Sequence, residues 1–402
     1  MRFLRSIYHY LLAWLGNKIY RKPSEKLFVI GVTGTKGKST VMELINAILE
    51  AAGRKTAIIS SVRFKNDLLS VGNLTGMTMP GRFFIQRFLS EAANNGCHYA
   101  IIEVTSQGVL QHRHRFIEFD AAILTNLEPE HIEAHGSYEN YRDSKIKFFR
   151  DVADYSGKDK INFFLNADAR DKDYFIKAVA GRGKLILYQK EDVRKFKIKT
   201  KLLGEFNLEN ISAAIAFARS QSIDWETIRS AVENFAGVPG RLEFVQKIPF
   251  SVIIDYAHTP GSLEKVYQTL RKSVVRNKQQ KLICVLGSAG GGRDVWKRPV
   301  MGGIAAKYCD QIILTNEDPF DENPEEILNQ MESGIAEKKS IQKIIDRKAA
   351  IKKAIQSAKK GDVVIITGKG SEPYLRVAGG KRIPWNEREI ALKILNNERI
   401  EI

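Results

Sequence analysis

The sequence predicts an α/β protein with mostly parallel sheets, because short apolar runs rich in β-branched residues alternate with helical stretches. The run at 27–33 is continuously apolar, as expected of a strand that is buried on both faces. The helical stretch after it places its apolar residues on one face, and Gly53 is expected to end it. Further strands of this first series are predicted at 56–60, 99–104, 121–125, 161–165 and 184–188.

A second α/β series follows an interruption by Gly237-Val-Pro-Gly240, which is the best candidate for a hinge. Before it, helices are predicted at 207–220 and up to about 236; after it, strands are predicted at 251–255, 281–287, 311–315 and 362–367. We therefore expect a basic aromatic N-terminal helix at 1–26, a central domain at 27–238 and a C-terminal domain at 239–402.

Composition restricts the classes of partner. The chain has 402 residues, 44% of them hydrophobic, and a formal net charge of +17. Because no nucleic-acid module is recognisable, this charge favours anionic small molecules or an anionic membrane over nucleic acid. The three cysteines are scattered without a CxxC pair, which argues against a disulfide framework or a structural zinc site and fits a reducing compartment.

The N-terminal segment 1–22 combines aromatic and aliphatic residues with Arg2, Arg5, Lys18, Arg21 and Lys22. Its uncharged run at 6–17 is too short to span a bilayer, and no signal-peptide cleavage site follows. Two interpretations remain open: a helix in a membrane interface, or a helix packed on the protein's own domain.

The sequence GVTGTKGKST at 31–40 connects a predicted buried strand to a predicted helix, which is the context of a phosphate-binding loop. Glycines allow backbone N–H groups to turn toward phosphate oxygens, and the helix N-terminus adds partial positive charge. Lys38 would reach the terminal phosphates, and Ser39 or Thr40 would hold Mg²⁺. Val32 breaks the strict Walker pattern, so the shorter form G-T-x-G-K-S-T carries the prediction.

This loop and the ordered segments after it resemble the Mur ligase family from about residue 27 to the C-terminus. The segments are IEVTSQGVLQHR at 102–113, TNLEPEHIEAHG at 125–136, YRDSKIKFF at 141–149, the LGEFNLEN run at 203–210 and DYAHTP at 255–260. The resemblance is strongest to the branch that adds an amino acid to UDP-N-acetylmuramoyl-dipeptide. It implies a central P-loop-type ATPase domain and a Rossmann-like C-terminal domain.

The resemblance also assigns the catalytic and metal sites. Glu103 and His131 match Mg²⁺ ligands, together with Ser39 of the phosphate loop. Lys145 matches a lysine that CO₂ converts to a carbamate, which helps to position Mg²⁺; on sequence alone it would be a solvated helix lysine. With Lys38, these residues form the predicted catalytic set.

The ATP site implied by the resemblance draws on both domains. Asn207 and Asn210 would approach the adenine, although capping of the following helix is an alternative for them. Arg241 would contact phosphate and Asp255 the ribose, while Arg293 and Lys297 would organise ATP or an acyl phosphate. The remaining residues predicted to bind ATP are Gly34, Thr35, Gly37, Lys38, Ser39, Thr40 and Asn126.

The acceptor and the amino acid have their own implied residues. Ser106 and Arg113 match contacts to the muramoyl-peptide, and Glu372 would meet the ammonium group of the incoming amino acid. The other predicted substrate residues are Thr78, Thr105, Asp318, Pro319 and Gly368.

Two departures from the family pattern affect the substrates. Only about 26 residues precede the first strand, where the family has a domain that holds uridine diphosphate. Phe320 stands where enzymes that add diaminopimelate have an arginine for its distal carboxylate, so lysine or ornithine is predicted instead. Glu317, Asp321 and Glu322 would attract a basic side chain, or else form an exposed acidic loop.

The predicted function is ATP-dependent amide-bond ligation through an acyl phosphate, in peptidoglycan synthesis, by a cytoplasmic monomer that uses ATP and Mg²⁺ and binds no nucleic acid. One alternative is a related ligase for a lipid-linked acceptor at the membrane, with peripheral contact through 1–22. Folylpolyglutamate or cyanophycin-type chemistry shares the phosphate loop but not the later segments. A third alternative is a nucleotide-binding regulatory protein without catalysis.

Overall fold

The computed structural model describes residues 2–130, 132–275, 277, 279–292, 294–336 and 340–397, with side chains from residue 6 onward except those of 132 and 134. The predicted sites His131 and Arg293 lie outside the described residues. The chain divides into two compact units, Met1–Ala236 and Gly237–Ile402, two residues before the predicted boundary.

The first unit is built on a sheet whose described strands have the order β4-β3-β2-β5-β1-β6-β7-β8. All its pairings are parallel except those that join β3 to β2 and to β4. The strands are β1 Phe28–Thr33, β2 Thr56–Ile59, β3 Arg63–Asn66, β4 Leu69–Gly72, β5 Tyr99–Glu103, β6 Ala121–Leu124, β7 Asn162–Asn166 and β8 Lys184–Tyr188.

Helices cover both faces of this sheet. One apolar cluster contains Val29 with Phe148 and Phe163, and the other contains Ile30 with Ile45, so β1 is buried on both faces as predicted. The helices are α1 Arg2–Ile19, α2 Lys38–Ala51, α3 Arg82–Asn94, α4 Ser106–Leu110, α5 Ile132–His135, α6 Tyr138–Tyr155, α7 Lys172–Val179, α8 Lys190–Lys195, α9 Glu205–Ser220 and α10 Trp225–Asn234, with a 3₁₀ turn at Pro23–Lys26.

The N-terminal helix α1 packs on its own unit. Gly16 lies against the backbone of α3, and the Asn17 side chain donates a 2.7 Å hydrogen bond to the carbonyl oxygen of Phe116. The second of the two interpretations of segment 1–22 therefore holds for one face of α1. None of the described helices has both the length and the apolar character needed to cross a bilayer.

The second unit contains a sheet with the described strand order β13-β12-β11-β14-β10-β9, in which only β9 is antiparallel, and a separate β15–β16 pair. The fold class predicted from the sequence is confirmed. The strands are β9 Glu243–Gln246, β10 Ser251–Asp255, β11 Leu282–Leu286, β12 Gln311–Leu314, β13 Ser340–Lys343, β14 Val363–Thr367, β15 Tyr374–Arg376 and β16 Arg382–Pro384. The helices are α11 Pro260–Ser273, α12 Lys297–Tyr308, α13 Pro324–Glu332, α14 Arg347–Ser357 and α15 Glu387–Leu395, with a 3₁₀ turn at Ala378–Gly380.

The expectation drawn from the cysteines is wrong for one pair, because Cys284 and Cys309 form a disulfide. Cys284 lies in β11, and Cys309 stands two residues before the neighbouring strand β12, so sheet pairing brings their Cα atoms to 6.1 Å. A sequence separation of 25 positions gives no sequence signature of this contact. Cys97 is a buried free thiol.

Candidate active site

The phosphate loop joins the end of β1 to the start of α2, as predicted. Gly34 and Gly37 have φ values of +145° and +81°, a region that residues with a Cβ rarely adopt. A Cβ on Gly34 would collide with the Thr125 hydroxyl, and one on Gly37 with the Asn210 side-chain oxygen. The loop therefore needs glycine at both positions, as expected of a phosphate-binding turn.

Side chains from the end of β6 hold this loop in place. Asn126 accepts a 2.9 Å hydrogen bond from the N–H of Lys36 and donates one of 3.1 Å to its carbonyl oxygen, to which the Thr125 hydroxyl donates at 2.6 Å. Because both groups of its amide are engaged with the loop backbone, Asn126 holds the conformation of the loop.

Lys38 lies at the first position of α2 and folds over the loop. Its Nζ donates hydrogen bonds of 3.1 Å to the carbonyl oxygens of Gly34 and Thr35, and lies 3.9 Å from Glu103 Oε1. A lysine amine held against the backbone of this loop is well placed to bind an anionic phosphate.

Glu103 reaches the same place from the end of β5, because β1 pairs with β5 in a register that sets Val32 opposite Glu103. The side chain is buried, and its Oε2 accepts a 2.7 Å hydrogen bond from the N–H of Ser61. The Ser61 hydroxyl in turn lies 3.2 Å from that of Ser39. The predicted metal residues Ser39 and Glu103 are thus brought together at the carboxyl ends of neighbouring strands.

The donor set fits magnesium by its chemistry, since a carboxylate and a hydroxyl are hard oxygen ligands. Among the described residues, no group of three or more His, Cys, Asp or Glu side chains forms a metal cluster. Of the predicted magnesium ligands, the described residues therefore supply Ser39 and Glu103, while His131 lies outside them.

Lys145 is buried, so the interpretation as a solvated helix lysine is wrong. From α6 its Nζ donates a 2.9 Å hydrogen bond to the carbonyl oxygen of Gly34 and lies 4.7 Å from the centre of the Tyr141 ring. Burial lowers its pKa well below the usual value, and nearby Lys38 lowers it further. Burial therefore favours the neutral form of this amine over the charged form.

Sequence reasoning missed two contacts that fix this arrangement. The Tyr141 hydroxyl lies 3.0 Å from that of Thr35, and Lys36 Nζ lies 2.7 Å from Glu130 Oε1. Tyr141 stands four residues before Lys145 on α6, so one helix contacts the loop twice. The signal was present in the Y-x-x-x-K spacing, but only the lysine was singled out.

The predicted acceptor residues lie around α4. Thr105 caps this helix by accepting a 3.0 Å hydrogen bond from Gly108 N, and Ser106 Oγ lies 3.0 Å from His135 Nε2. Arg113 donates to the Met79 carbonyl oxygen and to Gln111, and burial lowers its pKa. These contacts draw Arg113 to the segment that contains the half-buried Thr78.

Asn207 and Asn210 lie in α9 behind the phosphate loop. The helix is capped by Gly204, so the alternative in which these asparagines cap it is wrong. Asn210 donates a 2.9 Å hydrogen bond to Asn207 Oδ1, and its own oxygen faces Gly37. This pair therefore connects α9 to the loop.

In the second unit, the predicted residues meet at the carboxyl ends of the parallel strands. Asp255, at the end of β10, accepts 2.7 Å hydrogen bonds from the N–H groups of Leu242 and Ala257. The Gly368 N–H, after the neighbouring strand β14, donates to the Asp255 carbonyl oxygen at 3.2 Å. Carboxyl ends of this kind are where α/β sheets bind ligands.

Lys369 connects two predicted substrate residues. Its buried Nζ lies 2.8 Å from Asp318 Oδ1 and 2.5 Å from Glu372 Oε2, and Glu372 Oε1 accepts a 2.9 Å hydrogen bond from the Tyr256 hydroxyl. Pro319 follows Asp318 in the same turn. The structure thus brings Asp318, Pro319, Gly368 and Glu372 together.

The three acids around Phe320 have different environments. Asp321 Oδ1 accepts a 2.8 Å hydrogen bond from Gly379 N, and Glu322 lies 2.7 Å from Arg298 Nη2. Glu317 is buried beside Gly368, its Oε2 has no hydrogen-bond partner among the described residues, and burial raises its pKa to about 7. Glu317 is therefore not part of an exposed acidic loop, whereas Asp321 is exposed, and the reception of a basic group stays a prediction.

Phe320 has a left-handed backbone with φ of +52° and contacts Gly291 through its ring. Its N–H donates a 3.2 Å hydrogen bond to the carbonyl oxygen of Arg376, whose Nη1 lies 3.3 Å from Asp318 Oδ2. A guanidinium from β15 therefore stands beside the position where an arginine was expected, and no sequence motif pointed to it.

Arg241 and Lys297, which were also predicted to bind ATP, lie in this unit as well. The guanidinium of Arg241 lies 4.2 Å from the centre of the Tyr256 ring, and its Nη1 donates to the Gly240 carbonyl oxygen at 3.1 Å. Lys297 is buried at the start of α12 and helps to restrain the raised pKa of Glu317.

Comparison with known proteins assigns both units to the same protein family. Residues 32–218 match the Mur ligase middle domain, and residues 240–370 match the Mur ligase glutamate ligase domain. A UDP-N-acetylmuramoyl-L-alanyl-D-glutamate–2,6-diaminopimelate ligase of Aquifex aeolicus is 38% identical over 403 residues, 95% of this chain and 80% of that protein. The ligase of the same name from Geobacillus kaustophilus is 34% identical, over 94% of this chain and 81% of its own.

Solved structures agree with this match. A UDP-N-acetylmuramoyl-L-alanyl-D-glutamate–2,6-diaminopimelate ligase superposes with a TM-score of 0.60 at 28% identity, over 92% of this chain and 78% of its own. Folylpolyglutamate synthase of Mycobacterium tuberculosis superposes with a TM-score of 0.70 at 16% identity, over 89% and 92%. At that identity the second likeness concerns the fold alone.

Proposed function

Because the chain belongs to the Mur ligase family of ATP- and Mg²⁺-dependent ligases, we propose that it adds an amino acid to a UDP-linked muramoyl-dipeptide in peptidoglycan synthesis. The observation that carries this proposal is the cluster at the phosphate loop, where Lys38, Glu103 and buried Lys145 converge. Such a convergence of two amines and a carboxylate suits phosphoryl transfer, in which charge is stabilised by fixed groups.

In the first step, a carboxylate oxygen of the acceptor attacks the γ-phosphorus of ATP, the bond to the β,γ-bridging oxygen breaks, and ADP leaves. Lys38 and the N–H groups of the loop would hold the phosphate oxygens during this transfer. Asn126 and Asn210 keep the loop in the required conformation. Ser39 and Glu103, with His131 as a further proposed ligand, would hold the magnesium ion, which when bound would neutralise phosphate charge.

We further propose that Lys145 is carbamoylated. The neutral amine attacks CO₂, a nitrogen–carbon bond forms, and one proton is released, so that the side chain becomes an anion. Its lowered pKa supports this reaction, since a protonated amine has no lone pair to donate. The resulting charge would lie next to Lys38 and would orient that cation.

In the second step, the amine of the amino acid attacks the acyl phosphate, inorganic phosphate leaves, and the nitrogen loses a proton. Glu372 is the proposed partner of the amine, with Asp318, Pro319 and Gly368 forming the rest of the pocket. Arg241, Asp255, Arg293 and Lys297 are proposed to bind the nucleotide, and Thr78, Thr105, Ser106 and Arg113 the acceptor.

For the amino acid, we propose lysine or ornithine, because Phe320 occupies the position of the arginine expected for a distal carboxylate. Glu317 supports this choice, since its Oε2 has no hydrogen-bond partner among the described residues. Diaminopimelate is the second candidate. It is favoured by the names of the relatives and by Arg376, which places a guanidinium beside Phe320.

We place the reaction in the cytoplasm, close to the inner face of the membrane, with peripheral contact through residues 1–22. The apolar side chains that α1 presents to solvent support this location.

The test is phosphate release with Mg-ATP and UDP-muramoyl-dipeptide across lysine, ornithine, diaminopimelate and a neutral amino acid. We expect release that needs both acceptor and amino acid, with a tripeptide product detected by mass. Release that needs neither would indicate a regulatory ATPase. No release with any amino acid would overturn the UDP-linked acceptor and direct the same assay to a lipid-linked muramoyl-peptide.

A further inference from the structure

The N-terminal helix α1 has its bulky apolar residues on the outside. The face toward the protein carries small or polar residues, among them Ala13, Gly16 and Asn17, which are buried. The opposite face carries large apolar residues that are between 41% and 59% exposed. They are Ile7, Tyr8, Leu11, Trp14, Leu15 and Ile19, and we call them the outer stripe.

The positions of the outer stripe follow helical spacing, so these side chains form one continuous surface. An ordinary surface helix has the reverse arrangement, with its large apolar residues toward the core. A continuous apolar patch of this kind is uncommon on a soluble protein and marks a surface that another body covers.

The orientation of the outer stripe is fixed by contacts on the inner face. Ser6 Oγ lies 2.8 Å from His112 Nε2, and the Tyr10 ring packs edge-on against Phe116 at 5.0 Å between ring centres. With the hydrogen bond from Asn17 near the other end, these contacts hold the inner face of α1 against the protein and leave the stripe outward.

The charges around the stripe identify the covering body. The first 24 residues contain no acid, but they contain Arg2, Arg5, Lys18, Arg21 and Lys22. Trp and Tyr prefer the boundary between lipid headgroups and acyl chains, and each flanking cation adds attraction to anionic lipid. We propose that the outer stripe of α1 lies in the interface of an anionic lipid bilayer and docks the protein there.

A second copy of the chain fits this surface less well. Two copies joined through the outer stripe would bring together segments that are both strongly basic, which opposes association. The stripe is about 18 Å long at 1.5 Å per residue, which is shorter than the roughly 30 Å hydrocarbon core of a bilayer. The helix would therefore lie along the membrane surface and not across the membrane.

The experiment is co-sedimentation of the full chain with vesicles of phosphatidylcholine alone, or of phosphatidylcholine with one third phosphatidylglycerol. The test variant is Leu11→Glu/Leu15→Glu. The matched control is Leu68→Glu/Leu69→Glu, which changes the net charge equally at two exposed leucines far from α1 in sequence. Circular dichroism and the unfolding midpoint of each variant establish that it is folded.

We expect the wild-type chain to bind the anionic vesicles, and to bind neutral vesicles at least about tenfold more weakly. The α1 variant should lose about tenfold or more of this binding, and the control should lose less than about threefold. Equal loss in both variants, equal binding to both vesicles, or a dimer that only the α1 variant dissociates would overturn the proposal. Vesicle binding requires neither ATP nor acceptor, so this result is independent of the ligase assay.

Discussion

Nζ of Lys145 lies 2.9 Å from the carbonyl oxygen of Gly34, so a lysine from α6 touches the first glycine of the phosphate loop. The amine is buried, and Lys38 lies close enough to lower its pKa further. A buried cation next to a second cation is unfavourable, and carbamoylation would replace that repulsion with attraction.

The first prediction concerns this carbamate. Incubation with ¹³C-bicarbonate should give a carbamate carbon signal that is absent in Lys145→Met, and the variant should lose about 10²-fold or more in turnover. Because the carbamate forms from the neutral amine, which the lowered pKa of Lys145 favours, the signal should weaken as the pH falls.

Lys160, an exposed lysine of the same unit, supplies the matched control. Lys160→Met should keep both the signal and the turnover. A carbamate signal of wild-type intensity in Lys145→Met would show that another amine is modified, and the assignment would then fail.

The second prediction separates the two lysines of the phosphate loop. Lys38→Met should reduce phosphate release by about 10³-fold, because the amine that lies over the loop would be lost. Lys36→Met should cost less than about tenfold, since the Lys36 amine pairs with Glu130. Near-normal phosphate release by Lys38→Met would refute the assignment of the nucleotide site.

The third prediction uses two glycines with similar backbones. Gly37 and Gly53 have φ values of +81° and +71°, but a Cβ on Gly53 would meet no atom within 4 Å, whereas one on Gly37 would meet Asn210. Gly53→Ala should cost about 1 kcal/mol of stability and leave ATP binding unchanged. Gly37→Ala should cost more stability, because of the contact with Asn210, and should abolish ATP binding in a titration. Equal affinity in both variants would contradict the role of the loop.

The sequence predicted the strands that position the site to within one residue at each end, since β1 and its parallel neighbours are continuous apolar runs. It did not predict β3 and β4, which are short, hold polar residues such as Arg63 and Asn66, and pair antiparallel at the edge of the sheet. A half-exposed edge strand lacks the apolar run by which a central strand is recognised.

The residues of the candidate site fall into two similar groups, those with a local sequence pattern and those that tertiary packing brings together. The glycines and Lys38 were found because a phosphate loop is local in sequence, and Glu103 because it follows a strand. Burial of Lys145 and the position of Arg376 beside Phe320 depend on tertiary packing, which leaves no local pattern. The Cys284–Cys309 pair was missed for the same reason.

The fourth prediction follows from the pKa of Glu317, which burial raises to about 7 from 4.5. Above pH 4.5 the carboxyl ionises in the unfolded chain but stays protonated in the folded one. The stability that Glu317 contributes is therefore present below pH 4.5 and is lost as the pH rises to about 7. Glu317→Gln does not titrate, so its unfolding midpoint should rise relative to wild type between pH 5 and pH 8.

Exposed Glu325, at the start of α13, gives the matched control for this comparison. The difference in unfolding midpoint between Glu325→Gln and wild type should be the same at pH 5 and at pH 8. If the difference in unfolding midpoint between Glu317→Gln and wild type is also the same at pH 5 and at pH 8, the pKa of Glu317 in the wild-type chain is not raised.

The last prediction decides the amino acid. If Phe320 sets the specificity, wild type should prefer lysine or ornithine, and Phe320→Arg should raise kcat/KM for diaminopimelate by about tenfold or more, because a guanidinium binds the distal carboxylate with paired hydrogen bonds. If Arg376 replaces the missing arginine, wild type should already use diaminopimelate, and Arg376→Met should lose it by a similar factor. Arg382, in the paired strand β16 opposite Arg376, is the control, since Arg382→Met removes an exposed guanidinium and should leave the preference unchanged. Because the two models predict opposite preferences for the wild-type chain, one panel of kcat/KM values chooses between them.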